Sequence, residues 1–397
     1  MNTGKRTFSF FFAYTAFNLA ASFAHPVTPT VIQNLNLPDY MFGLALATMM
    51  TSMFLFSPFW GLMTSRISSR LSLCISCIGY ALAQAMFGLS TTMAGILCAR
   101  FLAGMFTSGC FVASLAYVAN VSPEEKRPRN LTLYATIQSV GSAFGYFIGG
   151  MLGELGTGYA FLAQVVVLTF SGISFLIFCV PDGREGEPLT PRKLFRECNP
   201  LIAFTYGRYF MNFGWAMLLG VCCMAYLGDT AFEQVFNYYI KDVFGLGSSW
   251  NGTIKFAVGI IAILANSTIC VYLLNRTDTR KSTIPVMLIA AVTVAGVILA
   301  PNLASFMIIS VLFFACYSVS VPLTQNLVAD RAEGSKSGLI MGFYQAVRAV
   351  GGVVGALLAG FLYEINPKVP FLFAGAGFAA AVVCGILYVK NVKKEEA

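Results

Sequence analysis

Twelve apolar runs of bilayer-crossing length follow one another along the 397-residue chain, and no other feature constrains its fold as strongly. A helix needs about 20 apolar residues to cross a bilayer, and lipid admits only helices and closed barrels because every backbone polar group must be satisfied internally. The sequence therefore predicts an all-α membrane protein with twelve transmembrane helices. The runs lie at residues 8–31, 40–63, 71–89, 93–118, 131–153, 158–180, 213–240, 250–274, 283–300, 304–327, 338–361 and 368–389.

The composition excludes a soluble protein, since 57% of the residues are hydrophobic and 11% are charged, against about 25% charged in a soluble domain. No Gly-rich phosphate-binding loop is present, so ATP does not power the protein directly. The 11 cysteines are scattered and are predicted to be small buried residues rather than metal or redox ligands. We therefore expect no cofactor, no metal and no enzymatic activity.

The basic residues indicate the orientation in the membrane. With both termini in the cytoplasm, the predicted cytoplasmic segments hold 19 of the 25 Lys and Arg residues, as the positive-inside rule requires. The net charge of +8 is then a sign of orientation and not of a nucleic-acid partner. The short loops favour a plasma (inner) membrane. The 19 residues are Lys5, Arg6, Arg66, Arg70, Lys126, Arg127, Arg129, Arg184, Arg192, Lys193, Arg196, Arg276, Arg280, Lys281, Arg331, Lys336, Lys390, Lys393 and Lys394.

Two groups of residues recur at an offset of 210 positions, which indicates duplication of a six-helix unit. Two six-helix halves around a central pathway are the architecture of many secondary transporters. The sequence predicts pseudo-symmetric halves at 1–180 and 213–397, joined by a cytoplasmic linker and interfacial segment at 181–212. The pairs are Arg66 with Arg276, Arg70 with Arg280, Gly141 with Gly351, Gly145 with Gly355, Gly150 with Gly360 and Glu154 with Glu364.

The loop after span two carries a resemblance to the major facilitator superfamily, and the resemblance covers essentially the whole chain. The family's loop has the form G-x-x-x-D-R-x-G-R-K/R. Here Gly61, Arg66 and Arg70 match, Ser65 replaces the Asp and Ser68 replaces the Gly. The resemblance implies two six-helix halves that work by alternating access, with a cytoplasmic latch that Ser65 leaves without its carboxylate.

Spans four and five are similar to those of the twelve-span drug/proton antiporter group. Span four matches the element R-x-x-x-G, whose Arg is linked to proton coupling in the family, and span five resembles G-x-x-x-G-P-x-x-G-G. Glycines spaced by four, here Gly141, Gly145, Gly149 and Gly153, make one smooth stripe on a helix, which suits close helix packing or a flexible seal during the transport switch. The matching residues are Arg100 and Gly104 in span four and Gly141, Gly145, Gly149 and Gly150 in span five, with Tyr146 in place of the Pro.

Polar and ionisable residues inside the spans are candidate site residues, because such groups are costly in lipid. In span seven, Asp229, Glu233, Asn237 and Lys241 fall at i, i+4, i+8 and i+12. This spacing predicts one polar stripe, which is either a proton or substrate site or an internal structural pair.

Span one has its own predicted stripe of Asn18, Ser22 and His25. His25 is the only histidine in the chain, and an imidazole titrates near neutral pH. It is either a proton carrier or a hydrogen-bonded structural residue.

Arg100, His25 and Glu233 are predicted to lie at similar depths in the membrane, at 1.5 Å of rise per residue. An unpaired arginine there would cost at least about 2.5–3.5 kcal/mol. We therefore hypothesise that Arg100 pairs with Glu233 or Asp229 across the two halves, so that protonating the acid releases Arg100.

Two further cations lie in or beside spans. Arg348 in span eleven has Tyr344 and Gln345 on neighbouring faces and Gln138 as its repeat equivalent, and it is predicted to bind either an anionic substrate group or a backbone carbonyl. Lys255, near the start of span eight, is expected to extend its ammonium group to the interface.

The sequence thus predicts a secondary active transporter, and proton-coupled export of small amphipathic or drug-like compounds is the favoured function. The expected partners are a small-molecule substrate, protons as the coupling ion and the lipid bilayer, with the chain acting as a monomer. Two alternatives stay open within transport, namely proton- or ion-coupled uptake and lipid-precursor flipping. A membrane sensor or binding protein that does not transport is the alternative outside that class.

Overall fold

The computed structural model describes residues 3–182, 198–201, 204, 211–331 and 337–396. Most of the predicted linker at 181–212 lies outside these residues. All regular secondary structure in the described ranges is helical.

Predicted spans two to twelve each correspond to one long helical segment in the described chain, and span one corresponds to two helices. The boundaries of spans two to twelve agree within a few residues, except that the last helix continues to Glu396. Ten of these segments are long and apolar enough to cross a membrane, and in the first helix residues 9–21 form a shorter apolar segment. A π-helical turn, Asn266–Cys270, continues α9 into α10 within span eight. The helices are α1 Thr3–Ala21, α2 Thr28–Asn34, α3 Met41–Ile67, α4 Ser69–Leu89, α5 Met93–Val121, α6 Arg127–Leu155, α7 Thr157–Phe178, α8 Phe213–Asp242, α9 Ser248–Ala265, α10 Val271–Arg276, α11 Thr279–Leu299, α12 Leu303–Arg331, α13 Ser337–Ile365 and α14 Val369–Glu396.

Span one is not the continuous helix that the apolar run at 8–31 predicts. The helix α1 ends at Ala21, turns occupy residues 22–27, and α2 begins at Thr28. Pro26 and Pro29 cause this interruption, because a proline lacks the N–H that continues the helix and disfavours the helical conformation of the residue before it. His25 therefore lies in a turn rather than on a helical face.

Short polar side chains begin several of the helices, as expected where the first backbone N–H groups have no partner. Thr92 accepts a hydrogen bond from the Gly95 N–H at the start of α5. Asn212 accepts one from the Trp215 N–H at 2.8 Å before α8. Asp278 accepts one from the Arg280 N–H at 3.0 Å before α11.

The chain forms two compact units. The described residues within 1–37, 48–200 and 245–256 belong to the first unit, and those within 38–47, 201–244 and 257–397 belong to the second. Each unit has an aromatic core. In the first, Phe10 stacks on Tyr117 with ring centroids 4.7 Å apart; in the second, Phe232 packs on Phe313 at 3.9 Å.

The glycine stripe of α6 lets this helix lie directly on the backbone of span one. A Cβ atom on Gly145 would be 2.2 Å from the Leu19 carbonyl oxygen, and one on Gly149 would be 2.3 Å from the Phe23 carbonyl oxygen. No side chain fits in such a gap. Close packing, one of the two interpretations of the stripe, is therefore confirmed for these residues.

The repeat-related glycines of α13 pack in the same way in the second unit. A Cβ atom on Gly351 would be 2.5 Å from the Cys223 carbonyl oxygen, and one on Gly355 would be 2.4 Å from the Leu227 carbonyl oxygen, both on α8. The offset of 210 positions thus relates helix contacts as well as residues. This is the result expected from a duplicated helical unit.

Replacing Gly145 with Ala should lower stability by about 1–3 kcal/mol, because the new methyl group forces α6 away from the Leu19 carbonyl. Gly61→Ala is the matched control, since a Cβ atom there has nothing within 4 Å and Ala favours the helix. Thermal unfolding of the purified protein in detergent measures both. Equal melting temperatures for the two variants would contradict the packing account.

Candidate transport site

Arg100 lies on α5 with only 3% of its surface exposed. Its Nη2 donates a hydrogen bond to Thr28 Oγ1 at 2.9 Å, and its Nη1 donates a weaker one to Met49 Sδ at 3.7 Å. The guanidinium carbon lies 4.3 Å from the centre of the Phe87 ring, an arrangement that attracts a cation to the ring face. Helices α2, α3 and α4 thus enclose this cation within the first unit.

Tyr146, which replaces the family's proline, is at the centre of a second cluster in the first unit. The His25 ring stacks on it with centroids 5.4 Å apart, and the Lys255 Nζ lies 6.0 Å from its ring centre. Lys255 is 8% exposed, so the expectation that it extends to the interface is wrong. The tyrosine ring offers this ammonium group a partner inside the protein.

The other two members of the predicted span-one stripe hold helices together. Asn18 is buried and donates to the Tyr14 carbonyl oxygen at 2.8 Å, and its Cβ faces Gly141. The Ser22 hydroxyl hydrogen-bonds the Ser142 hydroxyl of α6 at 2.9 Å. Both residues contribute to the contact between span one and α6, and their role in a substrate pathway stays a prediction.

Arg348 is the centre of a tyrosine cluster in the second unit. Its guanidinium carbon lies 4.4 Å from the Tyr226 ring centre and 5.4 Å from the Tyr344 ring centre. Its Nη1 also donates to the Tyr344 hydroxyl at 3.4 Å. Tyr317 of α12 also interacts electrostatically with this arginine.

The span-seven acids belong to the same cluster. Asp229 interacts electrostatically with Tyr226 and Tyr317, and Glu233 interacts with Tyr226. Asp229 and Asn237 are each 7% exposed, and Glu233 is half-buried on the same helix. The structure therefore brings both acids, Tyr344 and Arg348 together within one unit, which the sequence did not predict.

Other predicted site residues lie elsewhere. Gln345 is exposed and Gln138 is half-buried, and their place in a substrate pathway stays a prediction. The proposed pairing of Arg100 with Glu233 or Asp229 stays a prediction. Tyr226 and Tyr317 were missed, although Tyr226 precedes Asp229 by three positions and so shares a face of α8 with it.

The loop between α3 and α4 has a glycine-like backbone conformation at the position where the family's motif has glycine. Ser68, which replaces the motif glycine, has φ = 89°, a conformation that favours glycine. Asp182 caps the next helix, since it accepts hydrogen bonds from the Ser69 N–H at 2.7 Å and the Ser69 hydroxyl at 2.5 Å. Asn120 donates to the same carboxylate at 3.3 Å. A carboxylate from the end of span six thus supports this loop, in which Ser65 has replaced the motif's acid.

The remaining motif residues differ in their packing. A Cβ atom on Gly104 would be 2.1 Å from the Met49 carbonyl oxygen, which brings α5 onto α3. Gly150 similarly faces the Ser248 carbonyl oxygen at 2.5 Å. The loop arginines are half-buried or exposed, and their roles in the conformational switch stay predictions; they are Arg66, Arg70, Arg276 and Arg280.

Two repeat-related glutamates cap the first turns of two helices. Glu154 Oε1 accepts hydrogen bonds from the Ser249 N–H at 3.0 Å and the Ser249 hydroxyl at 2.9 Å, at the start of α9. Glu364 Oε1 accepts one from the Tyr40 N–H at 3.1 Å, just before α3. A carboxylate is favoured there because the helix N-terminus carries a partial positive charge.

The chain belongs to the class of membrane transporters, as comparison with known proteins shows. The model of the Major Facilitator Superfamily matches residues 7–321 and 267–397, and the chain belongs to this superfamily. It is therefore an integral multi-pass membrane protein and a transporter rather than an enzyme. The predicted family and its twelve-helix fold are confirmed.

Among curated relatives, the chain is 24% identical over 380 residues to "Multidrug resistance protein 2" of Bacillus subtilis (strain 168), covering 94% of this chain and 92% of that protein. It is 22% identical over 399 residues to "Quinolone resistance protein NorA" of Staphylococcus aureus (strain MSSA476), covering 99% of each. Among solved structures, a bacterial homologue of the iron transporter ferroportin in an inward-facing state has a TM-score of 0.74 at 12% identity, with 98% of this chain and 99% of that chain covered.

Replacing Ser68 with Gly should raise stability by about 1 kcal/mol, because the strained backbone costs about 1–3 kcal/mol for a non-glycine residue and losing a serine cap to glycine costs only a few tenths. Ser65→Gly is the matched control within α3, where glycine should lower stability by about 0.5–1 kcal/mol. Thermal unfolding should give shifts of opposite sign. Destabilisation by both changes would contradict the strain at Ser68.

Removing a glutamate cap should cost about 0.5–2 kcal/mol. We expect this loss in thermal unfolding of Glu154→Ala and of Glu364→Ala, and a smaller loss in the Gln variants, whose amide oxygen still accepts a hydrogen bond. Glu125→Ala, at an exposed acid of the 3₁₀ turn Glu124–Lys126, should have no comparable effect. Equal melting temperatures for all three Ala variants would show that the caps do not contribute to stability.

Proposed function

We propose that the chain exports small amphipathic, drug-like compounds in exchange for protons. It would act as a monomer in the plasma membrane, with both termini in the cytoplasm. The observation that carries the proposal is the buried acid Asp229, which lies one turn from Glu233 and shares a tyrosine cluster with Arg348. An intramembrane acid beside a cation is a group that can exchange a proton and change its partner when it does.

The proposed coupling follows from the charges in this cluster. With both carboxylates ionised, two negative charges face one positive charge, so the cluster can accept a proton. Protonation of Glu233 or Asp229 leaves Arg348 balanced by a single carboxylate and removes a charge that is costly to bury. If binding of the substrate and binding of this proton exclude each other, the substrate is exchanged for protons in a fixed ratio.

The tyrosines of this cluster also provide an aromatic surface for the transported compound. Tyr226 and Tyr344 present their rings to the Arg348 guanidinium, Arg348 donates to the Tyr344 hydroxyl, and Tyr317 lies in the same cluster. Flat aromatic faces bind apolar and aromatic ligands without demanding one hydrogen-bond pattern, which suits varied amphipathic compounds. The printed names of the relatives, a multidrug and a quinolone resistance protein, support export of such compounds.

The sequence alone suggests a different partner for the two acids, because it pairs Arg100 with Glu233 or Asp229. The coupling proposed here uses Arg348 as the partner of Glu233 and Asp229, and the pairing of these acids with Arg100 stays a separate prediction. Uptake and lipid-precursor flipping would use the same acids, but uptake would move the solute in the opposite direction.

The test is transport of norfloxacin, a quinolone, into inverted proteoliposomes energised by a proton gradient. The unaltered protein should accumulate it, whereas Glu233→Gln and Asp229→Asn should each lower the proton-driven rate at least tenfold, because the neutral side chains cannot exchange a proton. Glu124→Gln, at an exposed acid in the segment before α6, is the control and should transport normally. Full proton-driven transport by both the Glu233→Gln and Asp229→Asn variants would contradict the coupling proposal.

A further inference from the structure

Arg100 has unusual partners for a buried guanidinium. A hydroxyl of Thr28, a thioether of Met49 and the ring of Phe87 surround it. Its Nε atom is buried and has no hydrogen-bond acceptor among the described residues. A hydroxyl and a thioether are neutral, weak acceptors for a group that carries a full charge and five donors.

A buried arginine with neutral partners is energetically expensive. Buried charges in proteins are paired, because removing an ion from water costs several kcal/mol that a neutral acceptor does not return. The first half of the chain supplies no such partner inside the membrane, because its six predicted spans contain no Asp or Glu. The missing negative charge must therefore come from beyond these six spans.

We propose that Arg100 binds a carboxylate on the transported compound, so that the substrates are amphipathic organic anions or zwitterions. This proposal rests on the transport function proposed above and adds the charge of the substrate to it. The Nε–H and a neighbouring terminal N–H of a guanidinium form a planar fork that matches the two oxygens of a carboxylate. Thr28 positions the guanidinium by accepting a hydrogen bond from one of the two N–H groups of Nη2.

The walls of the site favour a monoanion with an apolar body. Met49 and Phe87 are apolar surfaces next to the guanidinium, and both side chains are buried. A single guanidinium balances one negative charge, so a carboxylate is matched where a phosphate dianion would leave a buried excess. A carboxylate joined to an aromatic or aliphatic group would place its charge at Arg100 and its apolar part against these side chains.

Binding of two fluorescent probes that differ by one negative charge and one methyl group tests this proposal, with 1-pyrenebutyrate as the acid and its methyl ester as the neutral match. Affinities are measured at equilibrium, with no proton gradient, on the purified full-length protein. The acid should bind the unaltered protein at least tenfold more tightly than the ester. Arg100→Gln should abolish this preference by weakening only the acid, and Arg100→Lys, which keeps the charge but not the fork, should fall between the two.

Thr28→Val provides a second variant that keeps the arginine and removes only its positioning hydroxyl. It should lower the affinity for the acid several-fold and leave the ester unchanged. Arg129→Gln, at an exposed arginine near the start of α6, controls for the loss of one positive charge and should keep the full preference. Gel filtration reports whether each variant is folded, and Thr28→Val decides the matter if Arg100→Gln aggregates.

Three results would overturn the proposal. The first is that the unaltered protein binds the acid no more tightly than the ester, or does not bind it. The second is that acid binding is unchanged in both the Arg100→Gln and Thr28→Val variants. The third is that the variants bind acid and ester more weakly to the same degree, which would assign Arg100 a structural role or a carboxylate of the chain itself as its partner. Failure of proton-driven transport would count against the proposed function alone. A preference for the acid, measured without a gradient, would survive that failure.

Discussion

Backbone-to-backbone contact at glycines is the constraint on which the rest of the structure depends. Gly145 lies against span one and Gly355 lies against α8 at distances that exclude a side chain. In lipid the hydrophobic effect does not press helices together, so small residues that allow close approach take over that task. These contacts hold α6 beside the turns that carry His25, and α13 beside the helix that carries Asp229. They therefore place the chemically active groups of both units.

The two units carry different charges at their candidate sites. The first holds Arg100 among neutral partners, and the second holds Arg348 beside two acids and several tyrosines. The helices that carry these groups descend from one duplicated unit, as the matching glycine contacts at an offset of 210 positions indicate. The duplication preserved the packing residues, because their positions require a small side chain. The charged residues diverged, as the different charges of the two units at their candidate sites show.

Much of the fold could be predicted, since span length, glycine spacing and the repeat are local or periodic features of the chain. The interruption of span one was missed because an apolar run does not reveal where prolines break it. The tyrosine cluster was missed because Tyr226, Tyr317 and Arg348 come from three helices, and periodicity along one helix does not identify its neighbours. Lys255 was expected at the interface, and the ring of Tyr146 instead gives it a partner within the protein.

The sequence by itself determined the class of the protein, its helical spans, its internal repeat and the short set of charged residues inside the membrane. These features follow from hydropathy and residue spacing, because the lipid bilayer penalises every polar group that is exposed to it. Only the tertiary structure decided that Asp229 and Glu233 share a cluster with Arg348, that Ser68 adopts a glycine conformation, and that Arg100 is enclosed by neutral groups. Those facts depend on which helices touch, and helix contacts are set by the summed packing of many side chains rather than by any one segment.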